Sequence, residues 1–138
     1  MTRLPFEVLV LVRRRDEILV LHRSPRQGAY WHSVAGAVEE GESWADAAAR
    51  ELLEETGLVA EPVEIGTPYA YALEEFPEYR ASVPAGAVEI VVHSFLVDAP
   101  TDWEPVIDWE HDAYRWCTRD EAIELLHWPE PKELLKNL

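Results

Sequence analysis

Three glutamates, Glu51, Glu54 and Glu55, fall within five consecutive positions of the segment Ser43 to Gly57. The ends of that segment carry helix start and stop residues. Ser43 is a suitable N-cap, Asp46 three positions later approximates a capping box with a shorter acid, and Gly57 suits the left-handed turn that closes a helix. At about 100° per residue, the three carboxylates share a sector of roughly 100° of helix surface. Like charges one turn apart repel by a few tenths of a kcal/mol per pair, so something positive is expected on that face. Two readings follow: a solvated acidic face, or a site for a hard cation such as magnesium. Magnesium takes oxygen ligands, retains waters, and bridges one or two carboxylates to phosphates. Spacing alone does not choose between them.

The surrounding residues do. From Gly36 to Leu58 the chain reads Gly, five residues, Glu, seven residues, then Arg-Glu-Leu-Leu-Glu-Glu-Thr-Gly-Leu. This resembles the Nudix box at every signature position: Gly36, Glu42, Arg50, Glu51, Leu52, Glu54, Glu55, Gly57 and Leu58. A chance match in a chain of this length is on the order of 10⁻⁷, given typical residue frequencies. The resemblance implies an α/β fold, the Nudix-type α/β/α sandwich around a mixed β-sheet, with the box forming a loop, a helix and a second loop. It also implies a pyrophosphohydrolase that cleaves a phosphoanhydride bond of a nucleoside-diphosphate-like small molecule.

Such cleavage needs a water aimed in line at phosphorus and positive charge near the oxygens, which Mg2+ supplies, with Mn2+ as a substitute. On that reading Glu51 and Glu55 are the first-choice metal ligands, and Glu54 is a further ligand or the general base. Nudix enzymes differ in which carboxylate is the base, so the choice stays open. Arg50 orients Glu51 and its neighbours through charge-assisted hydrogen bonds, and Glu42 fixes the box loop, through Arg50. Gly36 and Gly57 are backbone requirements at turns.

Two further stretches, Tyr30 to Glu42 and Glu110 to Trp116, are similar to dihydroneopterin triphosphate pyrophosphatases, relatives of which also accept deoxynucleoside triphosphates such as dATP. This similarity implies that Glu110 is a metal ligand facing the helix cluster. It aligns Arg3 and Arg23 with positions that contact substrate. Trp31 either stacks on a base or pterin ring or packs in the core, and Ala35 stands where that group carries a threonine. The implied substrate is dihydroneopterin triphosphate or a (d)NTP, with pyrophosphate released. The alternatives are a hydrolase that cleans the nucleotide pool of oxidised or other (d)NTPs, and a non-catalytic module that binds a nucleotide derivative. The intact carboxylates weigh against the last. The signature of NADH pyrophosphatases is not visible after Leu58, nor is a coenzyme A type motif.

These side chains need a scaffold, and the apolar pattern supplies one. Phe6 to Arg13 and Glu17 to Arg23 read as strands joined by a tight turn, followed by a loop, Ser24 to Ala29, and a short strand from Tyr30 to Ala35. In the helix, Ala45, Ala48, Ala49 and Leu52 recur at helical spacing as an apolar face. Glu61 to Gly66 and Tyr69 to Leu73 read as two strands, and Phe76 to Gly86 as a loop. Val88 to Val97 and Ala113 to Cys117 read as strands separated by the polar loop Asp98 to Asp108. Thr118 with Glu121 caps a helix through Leu126, and Pro131 suits the first position of a terminal helix.

The chain has 138 residues, a length suited to one domain spanning 1–138, and its composition of 48% hydrophobic and 28% charged residues is that of a globular protein. The longest apolar run, Val8 to Val12, is far short of the roughly 20 residues of a membrane span, and the charges at Glu7 and Arg13 to Arg15 break up any leader pattern. A cytoplasmic location is therefore expected. Cys117 is the only cysteine, which excludes an intrachain disulfide and suits a small buried hydrophobe. A net charge of −15 repels long nucleic acid. It leaves room for a small anion where cations and a few arginines neutralise the site. Assembly is not set by the sequence, a homodimer being one arrangement open to it.

Overall fold

The computed structural model describes residues 3–138. β1 (Phe6–Arg14) runs through the middle of a mixed seven-stranded sheet. Along one edge it pairs in parallel with β6 (Glu89–Asp98), from Phe6 opposite Val91 to Arg13 opposite Asp98. Along its other edge it meets two antiparallel partners. β2 (Glu17–Arg23) pairs with its end and β4 (Val34–Ala37) with its beginning. β2 also pairs with β3 (Trp31–His32) and with β7 (His111–Cys117), and β5 (Val63–Ala72) flanks β6.

Period-two alternation of β1 builds the two faces. Val8, Val10 and Val12 enter one buried cluster with Leu19, Leu21, Phe95 and Val97, against Ala47, Ala48 and Leu52 of α1 (Trp44–Thr56). Leu11 points the other way, into a cluster with Ile18, Val20 and Cys117 that is covered by Ala122 of α2 (Arg119–Leu125) and Leu135 of α3 (Pro129–Lys136). Helices thus cover both faces, the expected α/β/α arrangement. Leu9 shares the second face and packs with Leu73, Val83, Ile90 and Val92.

The caps act as their residue types require. The Ser43 side chain accepts a hydrogen bond from the Asp46 amide at 3.0 Å, and Gly57 closes α1 at φ 80°. Thr118 and Glu121 form a reciprocal capping box.

Several expectations from the sequence need correction. The stretch Tyr30 to Ala35 is two short strands, because the chain passes at Ser33 from pairing with β2 to pairing with β1. Glu61 to Leu73 holds one long strand. Its register shifts between Ile65 and Tyr69, where Gly66 takes φ 65° and Pro68 has no amide hydrogen to donate. Within the expected loop Phe76 to Gly86, Pro77–Ser82 forms 3₁₀ turns. The last helix begins at Pro129, so both prolines lie in its first turn, where a missing amide hydrogen is harmless. The buried face of α1 is Ala47, Ala48, Leu52, Glu55 and Thr56, whereas Ala45 is exposed. The helix is therefore rotated toward its glutamates, and Glu55 faces the interior.

Candidate active site

Arg50 organises the box. Its Nε and one terminal nitrogen donate to the two oxygens of Glu42, at 2.8 and 3.0 Å, in a fork that matches a carboxylate. The same guanidinium donates to the Ala37 carbonyl at 2.9 Å, to Glu51 at 2.9 Å and to Glu54 at 3.3 Å. Glu42 also accepts from the Glu39 amide at 2.9 Å, so the loop entering α1 closes on itself. The hydrogen bonds with Arg50 hold the Glu42 carboxyl below its ordinary range, and those with Glu42 hold the guanidinium firmly protonated. This is the positive partner that the acidic helix face requires.

Glu51 leans from α1 over Gly36 of β4. A Cβ at Gly36 would stand 2.1 Å from the Glu51 carboxyl carbon, so only glycine leaves room for that carboxyl. Burial raises the Glu51 pKa, and Arg50 opposes the rise. One turn on, Glu55 is 1% exposed and neither of its oxygens has a hydrogen-bond partner. Burial pushes its carboxyl well above the ordinary range, with the Glu51 carboxyl next and then the charges of Glu110 and Asp108. The Nε2 of buried His111 lies 3.5 Å from a Glu55 oxygen, while its Nδ1 is 2.8 Å from Asp108.

A cavity of about 890 Å³ opens beside these groups. Glu51 and Gly36 lie at its wall, together with Glu110, Arg23 and Arg3. Arg23 is braced by Gln27, with hydrogen bonds of 3.1 Å to its backbone carbonyl and 2.9 Å to its side chain, and lies 3.9 Å from a Glu110 oxygen. Arg3 donates to Glu7 and lies 4.6 Å over the Tyr79 ring. The structure thus gathers Glu51, Glu110, Arg3 and Arg23 on one cavity, with Glu55 buried behind them.

Two residues are placed differently. Glu54 is more than half exposed and points toward Arg50 rather than into the cavity wall. Trp31 does not line the cavity: its ring meets His22 edge-on and packs against the cluster of Leu11, Ile18 and Val20. Of the two roles open to Trp31 in the sequence, the structure shows packing.

The aromatic wall, absent from the sequence reading, comes from Tyr30, Tyr71, Phe76, Tyr79 and Trp128, and Glu7 lies in the same lining. The one available signal was Glu7, a charge directly before the apolar run Val8 to Val12.

Among the described residues, no three His, Cys, Asp or Glu side chains converge as a ready-formed metal cage. A divalent cation nonetheless suits this donor set. Two unpaired oxygens on a buried acid, a second carboxyl cradled by Gly36 and a third acid in the cavity wall are oxygen donors placed close together. A hard ion that keeps part of its water needs only one or two carboxylates. Among the described residues, no helix is long and apolar enough to cross a membrane.

Comparison with known proteins finds a match to the NUDIX domain model over residues 3–138. The chain is 37% identical to an octanoyltransferase of Myxococcus xanthus over 119 residues, which is 86% of this chain but 31% of that protein. The chain therefore spans about a third of that relative's length. It is 32% identical to the dihydroneopterin triphosphate diphosphatase of Escherichia coli over 125 residues, covering 88% of this chain and 83% of that one. In structure it resembles the E. coli dihydroneopterin triphosphate pyrophosphohydrolase, with a TM-score of 0.84 at 24% identity, over 100% and 97% of the two chains. A NUDIX hydrolase of Listeria monocytogenes gives 0.78 at 26% identity, over 96% and 90%.

Proposed function

The chain belongs to the NUDIX domain family, and on that premise we propose that it is a magnesium-dependent pyrophosphohydrolase that releases pyrophosphate from dihydroneopterin triphosphate or a (d)NTP. The observation that carries this reading is the unpartnered buried carboxyl of Glu55 behind Glu51, beside a cavity that also presents Arg3, Arg23 and Glu110. A relative 32% identical over most of both chains bears the name dihydroneopterin triphosphate diphosphatase, which favours the pterin substrate.

Glu51, Glu55 and Glu110 would hold the ion, with Glu54 as a further ligand or as the general base. Bound Mg2+, or Mn2+ in its place, supplies charge near the phosphate oxygens and a more acidic water. The protein's own part is positional. Arg50 fixes the direction of Glu51 and ties it to the loop through Glu42. Arg23 neutralises phosphate oxygens from the same cavity lining, as a planar donor suited to them, and Arg3 contacts the substrate beside Glu7. Water adds to phosphorus, the phosphoanhydride P–O bond breaks, and the released oxygen leaves with pyrophosphate. The proton from the water passes to a carboxylate of the box.

The test is pyrophosphate release, with magnesium and with chelator, from dihydroneopterin triphosphate, dNTPs, oxidised dGTP, ADP-ribose and diadenosine polyphosphates. Preferred magnesium-dependent release from the pterin supports the reading. Preference for a nucleotide replaces the substrate by one of the nucleotide pool. No turnover of any compound by folded, metal-binding protein leaves a binding module.

A further inference from the structure

Glu7 stands on the odd-numbered face of β1, beside Leu9 and opposite α1, where the cavity lies. Its side chain is 15% exposed. A carboxylate there is costly unless hydrogen-bonded. The Arg3 guanidinium donates to one oxygen and the Tyr71 hydroxyl to the other. Burial and then the charge of Glu7 raise the Tyr71 pKa, so its hydroxyl stays a donor. Each carboxylate oxygen has two acceptor positions, and these contacts take one on each.

Around Glu7 the cavity is built for a flat ring. Phe76 and Tyr79 stack at 5.7 Å and 19°, Tyr71 meets Phe76 edge-on at 4.9 Å, and Trp128 meets it at 5.3 Å. Arg23, suited to a phosphate, and the box carboxylate of Glu51 lie elsewhere in the same lining. The polar feature within the aromatic part is thus an acceptor pair, with a guanidinium donor beside it.

We propose that Glu7 is a specificity-determining residue that selects a ring carrying two adjacent N–H donors next to a carbonyl, the edge shared by guanine and pterin. The two N–H groups donate to the free acceptor positions of Glu7, and the carbonyl accepts from Arg3. Adenine turns an unprotonated ring nitrogen toward the carboxylate, acceptor against acceptor, and is rejected. A site that hydrogen-bonds such groups discriminates strongly, because a mismatched ligand leaves buried polar groups unpaired. The inference rests on the proposed function only in assuming that this cavity receives the ring end of the substrate.

The experiment uses nucleoside 5′-monophosphates, which contain no phosphoanhydride to cut, with chelator present and binding read by titration calorimetry up to millimolar ligand. GMP is expected to bind at least ~10-fold more tightly than IMP, which lacks only the 2-amino donor, and AMP should bind no better than IMP. Glu7→Gln, which replaces one acceptor by a donor, should bring the GMP to IMP ratio close to one. Equal affinities of wild type for GMP, IMP and AMP, or no binding of any, overturn the proposal. So does an unchanged ratio in Glu7→Gln. If that variant fails to fold, the wild-type series decides alone. Ring discrimination without pyrophosphate release would sink the proposed function and leave this inference standing. Pyrophosphate release without ring discrimination would do the reverse.

Discussion

Replacing Glu55 by glutamine probes the buried carboxyl directly. In metal-free protein the folded state retains a proton on this group that the unfolded chain gives up near pH 4.5, because burial and the neighbouring acids raise the folded pKa well above that value. Between the two pKa values the folded state binds more protons than the unfolded one, so stability falls as pH rises. The slope is at most ~1.4 kcal/mol per pH unit for one group. Below pH about 4.5 both states are protonated and the penalty vanishes. Above the folded pKa it is fully present and constant. Glu55→Gln keeps the shape, has no proton to lose, and relieves Glu51 of a like charge. The variant should therefore show a flatter dependence and a stability relative to wild type that grows as pH rises toward neutral, by at most ~1.4 kcal/mol per pH unit. Urea unfolding in chelator at pH 5, 6 and 7 measures this. Magnesium should stabilise wild type and not the variant, whose pyrophosphate release should fall by at least ~10²-fold. Parallel stability curves, offset by the same amount at each pH, would refute the reasoning, since they would show no proton taken up on folding.

Gly36→Ala should leave stability within ~1 kcal/mol, because the atoms in the way are the flexible end of Glu51. Turnover should nonetheless fall about 10²-fold as that carboxyl is displaced; unchanged kinetics would mean that Glu51 needs no such seat. Arg50→Lys loses the fork on Glu42 and should lower the unfolding free energy by ~1 to 3 kcal/mol, read from the urea midpoint, whereas a midpoint equal to wild type would make the network ornamental. Glu110→Ala should shift the magnesium dependence of turnover to higher concentration. An identical magnesium curve would make that glutamate a bystander.

Short-range rules were legible in the chain. Ser43, Gly57 and the Thr118 with Glu121 pair mark helix ends by local hydrogen bonds, and the box spacing places Arg50 among acids that can only be its neighbours. What depends on distant partners was not. Glu55 looks like one more surface acid until α1 docks on β4, and its burial follows from a helix rotation that the alanine pattern does not fix. The choice between packing and ligand stacking for Trp31 depends on how β3 pairs with β2, which sets Trp31 opposite His22. The aromatic wall is drawn from Tyr30, the end of β5, the 3₁₀ turns and the start of α3, segments with weak periodicity of their own. Glu7 was visible only as a charge next to the apolar run Val8 to Val12.

The parallel pairing of β1 with β6 has a kinetic consequence. Val8 sits beside His93 and Val12 beside Val97, so the middle of the sheet joins strands separated by most of the chain. Closing so large a loop costs entropy before any contact compensates it, and folds dominated by such contacts form slowly. The cavity wall draws on Arg3 and Leu9 at one end of the sequence and on Val92 and Glu110 far along it. Local helices can form early, but a binding surface cannot exist until this late pairing is complete. During refolding, the ability to hold a ligand should therefore appear after most secondary structure, and a growing chain on the ribosome would have no binding surface until β6 has emerged.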